Sequence, residues 1–178
     1  MSELQSRVNQ VNFISKIDLK AGFRLLRMAL GNEKCTAIKT KFRHYEYMVM
    51  PFCLNKAPAT CQLEMNQISR PVLWVELVIN PKVNIEDDGG IIVVAHIEDI
   101  LIATRRSLET HHQQVGKVFD SLLENNMWVN LEKCAFDQKS VPFLGCIVDG
   151  SSIQMDPHKA KEIVDWPRPT NQKVVQQL

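Results

Sequence analysis

The chain lacks any apolar run long enough to cross a membrane. Across its 178 residues the longest strong run ends at His96, well short of the ~20 residues a spanning helix needs. Its first residues, Met1-Ser2-Glu3-Leu4-Gln5-Ser6-Arg7, are polar and hold no apolar h-region, so no secretory leader is expected. The five cysteines (35, 53, 61, 134 and 146) contain no CxxC pair, and neither they nor the histidines show zinc-ligand spacing. Reduced thiols in a core are therefore expected, in place of disulfides or structural zinc. An excess of one charge is missing too. The 21 Lys+Arg against 20 Asp+Glu give +1, so no overall basic footprint announces nucleic acid. The local clusters (Arg24 with Arg27; Lys39, Lys41 and Arg43; Arg105 with Arg106) read as solvated faces. Repeats and low-complexity tracts are absent as well. What composition leaves is a soluble, intracellular α/β or α+β domain, one domain or slightly more, with ordinary hydrophobic content for building a core.

Against that plain background one stretch stands out: Ile92-Val93-Val94-Ala95-His96-Ile97-Glu98-Asp99-Ile100-Leu101-Ile102. It is a strand-forming run broken at its centre by two adjacent carboxylates. A buried β-hairpin tolerates paired acids only at its tip, and charges held together there commonly serve to hold a cation. A third acid lies far upstream in Phe13-Ile14-Ser15-Lys16-Ile17-Asp18-Leu19, another apolar strand with an embedded aspartate. One aspartate on a strand and an acid pair on a later hairpin tip is the layout of a two-metal nucleotidyl-transfer site.

Hydrophobic spacing predicts a strand over residues 11–19 ending in Asp18, then strands over 36–40 and 44–50, the latter alternating through Tyr45 and Tyr47 until Pro51 stops it. A helix follows, with Pro58 in its first turn, Cys61, Met65, Ile68 and Val72 on one face, and Pro71 closing it. Residues 76–90 mix turn formers with acids and read as a long exposed loop. After the acid-pair hairpin, Leu108, His112, Val115, Phe119, Leu122 and Leu123 mark an amphipathic helix ending near Asn125-Asn126. A strand is expected over 141–148, containing Gly145, with a weaker one at 153–155. Asp156 as N-cap and Pro157 as first helical residue predict a short helix through Val164. Pro167 and Pro169 then read as a linker.

Taken in order, residues 13–22 (FISKIDLKAG), 50–62 (MPFCLNKAPATCQ), 96–101 (HIEDIL), 131–136 (LEKCAF), 143–145 (FLG) and 155–169 (MDPHKAKEIVDWPRP) closely resemble the reverse transcriptase of gypsy-class LTR retrotransposons. The resemblance runs unbroken from about residue 13 to the last residue. It implies the palm of a right-hand polymerase, an α+β fold whose antiparallel, ferredoxin-like sheet is backed by helices, with partial fingers and the start of a thumb. It divides the chain into a palm with partial fingers over 1–150 and the beginning of a thumb or connection over 151–178. The implied chemistry is attack of a primer 3′-hydroxyl on a deoxynucleoside triphosphate, assisted by two Mg²⁺ ions, with Mn²⁺ as a substitute. By resemblance Asp18, Glu98 and Asp99 are the metal-binding catalytic acids and Lys133 a proton donor near the pyrophosphate. Leu19, Phe23, Asn55 and Gln62 belong to the nucleotide site, with Phe23 selecting deoxyribose. Phe143, Leu144 and Gly145 form the primer grip. The implied partners are an RNA or DNA template with primer and deoxynucleoside triphosphates, without a membrane. The implied setting is the cytoplasm, in a virus-like particle, or the nucleus.

The departures from the family pattern fall on the chemistry. Glu98 stands where most members have Asp, pushing the carboxylate out by one methylene; misplacement on the order of an ångström can cost roughly a hundredfold in rate. His96 replaces a tyrosine, Cys53 a glycine in the template-nucleotide loop, and Lys56 a polar amide. The fingers residues that grip triphosphate are not in the chain, and 76–90 exceeds the family's usual link. Two readings therefore stand at the level of sequence: an RNA-directed DNA polymerase domain with impaired activity, or an inactive retroelement-derived fragment that at most binds nucleic acid or another protein.

Overall fold

The computed structural model describes residues 8, 10–52, 54–69 and 91–166. The expected loop at 76–90, Cys53 and the linker at Pro167 and Pro169 lie outside those residues. The centre is a four-stranded sheet in which β1 (Phe13–Asp18) sits between β5 (Asp99–Thr104) and β6 (Ala135–Gln138), with β4 (Ile91–His96) beyond β5. All three pairings are antiparallel. Helix α2 (Ala57–Ser69) precedes the β4–β5 hairpin and α3 (Leu108–Glu124) follows it; α1 is one short turn at Gly22–Leu25. Strand, helix, hairpin, helix and strand, with the first strand between the last two, is the split βαβ pattern of a ferredoxin-like sheet.

Alternation along the strands divides the core. Ile17, Val93, Ala95, Ile100 and Ile102 pack against Cys61, Met65 and Ile68 of α2 and Val118 and Leu122 of α3. Ile14, Ile92, Val94, Leu101 and Ala103 face the other way, against Val141, Phe143 and Val148 of a second sheet. That second sheet comprises β7 (Ser140–Phe143), β8 (Cys146–Asp149) and β9 (Ile153–Met155). With both faces covered, β4 and β5 are buried nearly throughout, so they read as continuous apolar runs. Each fully buried Val, Leu or Ile here contributes about 1.5–3 kcal/mol.

Several expectations needed correction. The strands expected at 36–40 and 44–50 shrink to β2 (Ile38–Lys39) and β3 (His44–Tyr45); Thr36 closes a 3-10 turn, its hydroxyl bonded to the Glu33 carbonyl. The single strand expected over 141–148 is a hairpin, because Leu144 (φ 50°) and Gly145 (φ 78°) turn the chain with positive φ at both central residues. On α3 the buried line is His111, Gln114, Val118, Ser121 and Leu122, whereas Leu123 is 76% exposed. The face is displaced because polar groups find partners on the inner side: Ser121 Oγ donates to the Ile68 carbonyl, and the His111 ring meets Ser15. The helix ends as Asn125-Asn126 foretold. Asn126 takes φ 55°, and the Met127 and Asn126 amides bond the Leu122 and Leu123 carbonyls. At α4 (Pro157–Val164) the Asp156 carboxylate caps the His158 amide, as expected. The four described cysteines are free thiols, and no helix among the described residues is long and apolar enough to cross a membrane.

The His111 ring is fully buried, 2.7 Å from Ser15 Oγ through Nε2, while its Nδ1 has no hydrogen-bond partner among the described residues. The Asp137 amide donates to the same Ser15 oxygen at 3.1 Å. Burial lowers the His111 pKa below 6.5, against the pull of Asp137, and His112 lowers it further. The native state thus resists a proton that the unfolded chain accepts near 6.5, so stability contributed by this site is complete above that pH and lost as pH falls below it. Urea unfolding at pH 7.5 and 5.5 should show the loss, and His111→Gln should flatten that part of the slope. An unchanged slope would place the acid sensitivity elsewhere.

Candidate active site

The β4–β5 hairpin closes through Ile97 and Glu98, with His96 opposite Asp99. Ile97 adopts φ 53°, a left-handed conformation that costs a β-branched residue roughly 1–2 kcal/mol. Three hydrogen bonds hold this strained tip. The Gln62 amide on α2 donates to the Ala95 carbonyl at 3.0 Å and accepts from the Ile97 amide at 2.9 Å. The Leu19 amide, just beyond β1, donates to the Glu98 carbonyl at 2.8 Å. Gln62 is itself steadied by Asn66 one helical turn on, at 2.8 Å.

In the β1–β5 ladder Asp18 lies directly opposite Asp99. Paired residues project from the same face, and for these two it is the face of Ile14 and Leu101, away from the helices. Lys16, two residues before Asp18, shares that face, and its Nζ sits 2.9 Å from Asp99 Oδ1. That oxygen is buried and meets no other donor among the described residues, so the Lys16 ammonium is what compensates its charge. Glu98 turns elsewhere. Its Oε1 accepts from the Phe23 amide at 3.3 Å, and its Cγ would lie 3.0 Å from a Cβ on Gly22. Glycine at 22 therefore makes room for the longer glutamate. Its charge also reaches α2: burial, then Glu98, then Glu64 raise the Cys61 thiol to about 11. Beside Asp18, the Asp18 amide donates to Cys134 Sγ at 3.4 Å; burial foremost raises that thiol, and the Asp18 charge adds to it.

Of the remaining expected site residues, Leu19 is buried and bridges to Val129. Lys133 is exposed, in a 3-10 turn that is stapled to β1 where the Asn130 amide bonds the Asp18 carbonyl. The half-buried Phe23 ring stands 5.3 Å from that of Phe52, and the Arg24 guanidinium lies 5.4 Å from the Phe52 ring. Asn55 is exposed in the turn before α2, as is Lys56. Phe143 is buried in the second core, and Leu144-Gly145 form the β7–β8 turn, against which Lys159 of α4 packs. Asp18, Leu19, Phe23, Gln62, Glu98 and Asp99 thus gather at one end of the central sheet, while the 143–145 turn belongs to the second sheet. Sequence reasoning missed Lys16, although strand alternation puts it on the face of Asp18. It missed Phe52, and it did not foresee the grip of the Gln62 amide on the hairpin.

Carboxylate oxygens are the ligands Mg²⁺ favours, usually one or two of them completed by phosphate and water. Asp18 and Asp99 fit that donor set, Asp99 through an oxygen that the Lys16 ammonium faces. Among the described residues no three His, Cys, Asp or Glu side chains converge as a ready-made cage. A Ser-His-Asp set does occur in Ser15, His111 and Asp137, but Ser15 and Asp137 both approach His111 Nε2, 2.7 and 3.7 Å away. A hydrolytic triad needs the acid on the opposite nitrogen and an accessible serine; Ser15 is fully buried.

The family model described as reverse transcriptase (RNA-dependent DNA polymerase) matches residues 2–148. The chain is 35% identical over 98% of its length to the retrovirus-related Pol polyprotein from transposon 297 of Drosophila melanogaster, and covers 15% of that protein. It is 30% identical over 93% of its length to the Pol polyprotein from transposon opus of the same fly, again covering 15%. Over its full length it is 26% identical to the transposon Tf2-3 polyprotein of Schizosaccharomyces pombe, covering 12%. The chain therefore spans about a seventh of the curated relatives it matches. Among solved structures, the foamy viral protease-reverse transcriptase in complex with RNA/DNA hybrid superposes with TM-score 0.73 at 21% identity, over 98% of this chain and 21% of that one. The dRH form of the same viral protein, in complex with double-stranded DNA, gives 0.74 at 20% identity, over 98% and 28%. Those likenesses identify the α+β architecture as that of a polymerase palm. The chain belongs to the reverse transcriptase (RNA-dependent DNA polymerase) family, in the branch represented by the Pol polyproteins of gypsy-class LTR retrotransposons.

Proposed function

We propose that this segment supplies the catalytic acids of an RNA-directed DNA polymerase that adds deoxynucleotides to a primer 3′-hydroxyl. The observation that carries the reading is the register setting Asp18 directly opposite Asp99, on the sheet face turned away from the helices. Asp18 and Asp99 would hold Mg²⁺, with Glu98 as the third acid. When bound, the ions would supply the charge that activates the hydroxyl and stabilises the leaving pyrophosphate. The chain's own part is positional: Gln62 and the Leu19 amide fix the hairpin tip, and Phe23 stands beside it to exclude a ribose 2′-hydroxyl. Lys133, near β1, serves as proton donor to the pyrophosphate, and the 143–145 turn holds the primer. The RNA/DNA and duplex DNA bound by the foamy viral enzyme support a template–primer as partner. A second reading, an inactive nucleic-acid- or protein-binding module, is favoured by Glu98, whose carboxylate is engaged by the Phe23 amide.

The test is primer extension on an RNA template, with this segment exchanged into the reverse transcriptase of transposon 297. Asp18→Asn should abolish extension, and Glu98→Asp should raise it by roughly tenfold to a hundredfold, the scale of an ångström of misplacement. Template binding with extension indifferent to Asp18→Asn would favour the inactive module.

Gln62→Leu separates two roles for that side chain. Loss of the hairpin clamp should lower kcat about tenfold or more and destabilise the fold by about 1–2 kcal/mol, leaving the KM for deoxynucleotide nearly unchanged. A raised KM with kcat intact would return Gln62 to the nucleotide. In the same chimera Phe23→Val should admit ribonucleotides, raising their kcat/KM relative to deoxynucleotides by about tenfold or more. An unaltered ratio would leave Phe23 as packing only.

A further inference from the structure

We propose that Lys16 is a built-in counter-cation of the Asp18–Asp99 pair, and that it competes with the divalent ion for Asp99. The inference rests on the reading that these aspartates bind metal, and assigns to a residue outside that set control over how tightly they do so. Antiparallel pairing forces the two carboxylates to emerge side by side. Like charges opposed across a ladder destabilise it, the more so where water is partly excluded. Lys16 answers that repulsion from the same strand face. Its Nζ is 2.9 Å from Asp99 Oδ1, and the two side chains are only 18% and 28% exposed.

Three features mark this contact as exchangeable. Among the described residues the Asp99 oxygen that meets the ammonium has no other polar partner, so this one contact is all that must give way for it to take another cation. The other acid of the tip is held apart, Glu98 being bonded to the Phe23 amide. Lysine is also a compact charge on a flexible four-carbon stem, able to withdraw without moving the strand that carries it. The ammonium thus keeps the acids compatible with folding in the metal-free chain. It must yield Asp99, or share it, when a divalent ion arrives.

The test is direct Mn²⁺ binding to the intact chain, read from loss of the free-ion electron paramagnetic resonance signal, with Mg²⁺ competition. Lys16→Met keeps the apolar stem and removes the charge. It should tighten Mn²⁺ binding by about tenfold, as expected for one nearby cation at a partly exposed site, while lowering metal-free thermal stability. Lys16→Arg should bind as the parent does, and adding Asp99→Asn should erase the difference between the parent and the Lys16→Met variant. Should Lys16→Met fail to fold, Lys16→Gln gives the same comparison. Equal affinity with and without the lysine, alongside loss of binding in Asp18→Asn, would overturn the competition while keeping the metal site. No Mn²⁺ binding by parent or Lys16 variant at millimolar metal would overturn both.

Discussion

The antiparallel ladder between β1 and β5 is the constraint on which the rest depends. β1 is the inner strand that joins the hairpin to β6, and its pairing with β5 runs unbroken from Phe13–Thr104 to Asp18–Asp99. Because side chains alternate strictly, a slip of one residue would send Asp18 into the helix-facing core and Ile17 out of it. Ile17 is completely buried, so the hydrophobic effect fixes the register. The polar end of the ladder is placed by apolar residues further along it.

Fixing the register creates an electrostatic problem that the local structure answers piece by piece. The Lys16 ammonium faces Asp99, and Glu98 is drawn aside to the Phe23 amide over the bare Cα of Gly22. Around the tip, Gln62 binds backbone on both sides of His96, and Leu19 binds the Glu98 carbonyl. Together these hold Ile97 in a conformation it would not keep alone. The tip is therefore positioned by three elements distant in sequence, β1, α2 and the hairpin itself. A change to any one of them acts on the acids.

The two faces of the sheet divide the labour. Helices α2 and α3 cover one face and anchor the Gln62 clamp; the second sheet packs on the other, against Ile14, Ile92, Val94, Leu101 and Ala103. On the far side of that arrangement, the buried Ser15–His111 contact ties α3 to β1 three residues from Asp18. His111 and Ser121 find partners at that depth in Ser15 and the Ile68 carbonyl, and so they occupy the inner line of α3 while Leu123 lies outside.

Much was legible in the sequence where the signal is local. The embedded Asp18, the Glu98-Asp99 pair between two apolar runs, the Asn125-Asn126 stop and the Asp156-Pro157 start each have short-range causes, and the motifs in their order carried the family and fold. Residues 141–148 were misread as one strand because a leucine in positive φ gives no warning of a turn. The face of α3 was misplaced because hydrophobic spacing cannot see a histidine with a buried partner 96 residues away. Only tertiary structure could decide that Asp18 meets Asp99, that Lys16 reaches across the ladder to the same acid, and that Gln62 serves the hairpin. Each depends on the pairing of strands far apart in the chain or the docking of a helix on them. Sequence determines which residues can carry charge, turn or pack; long-range register decides which of them meet.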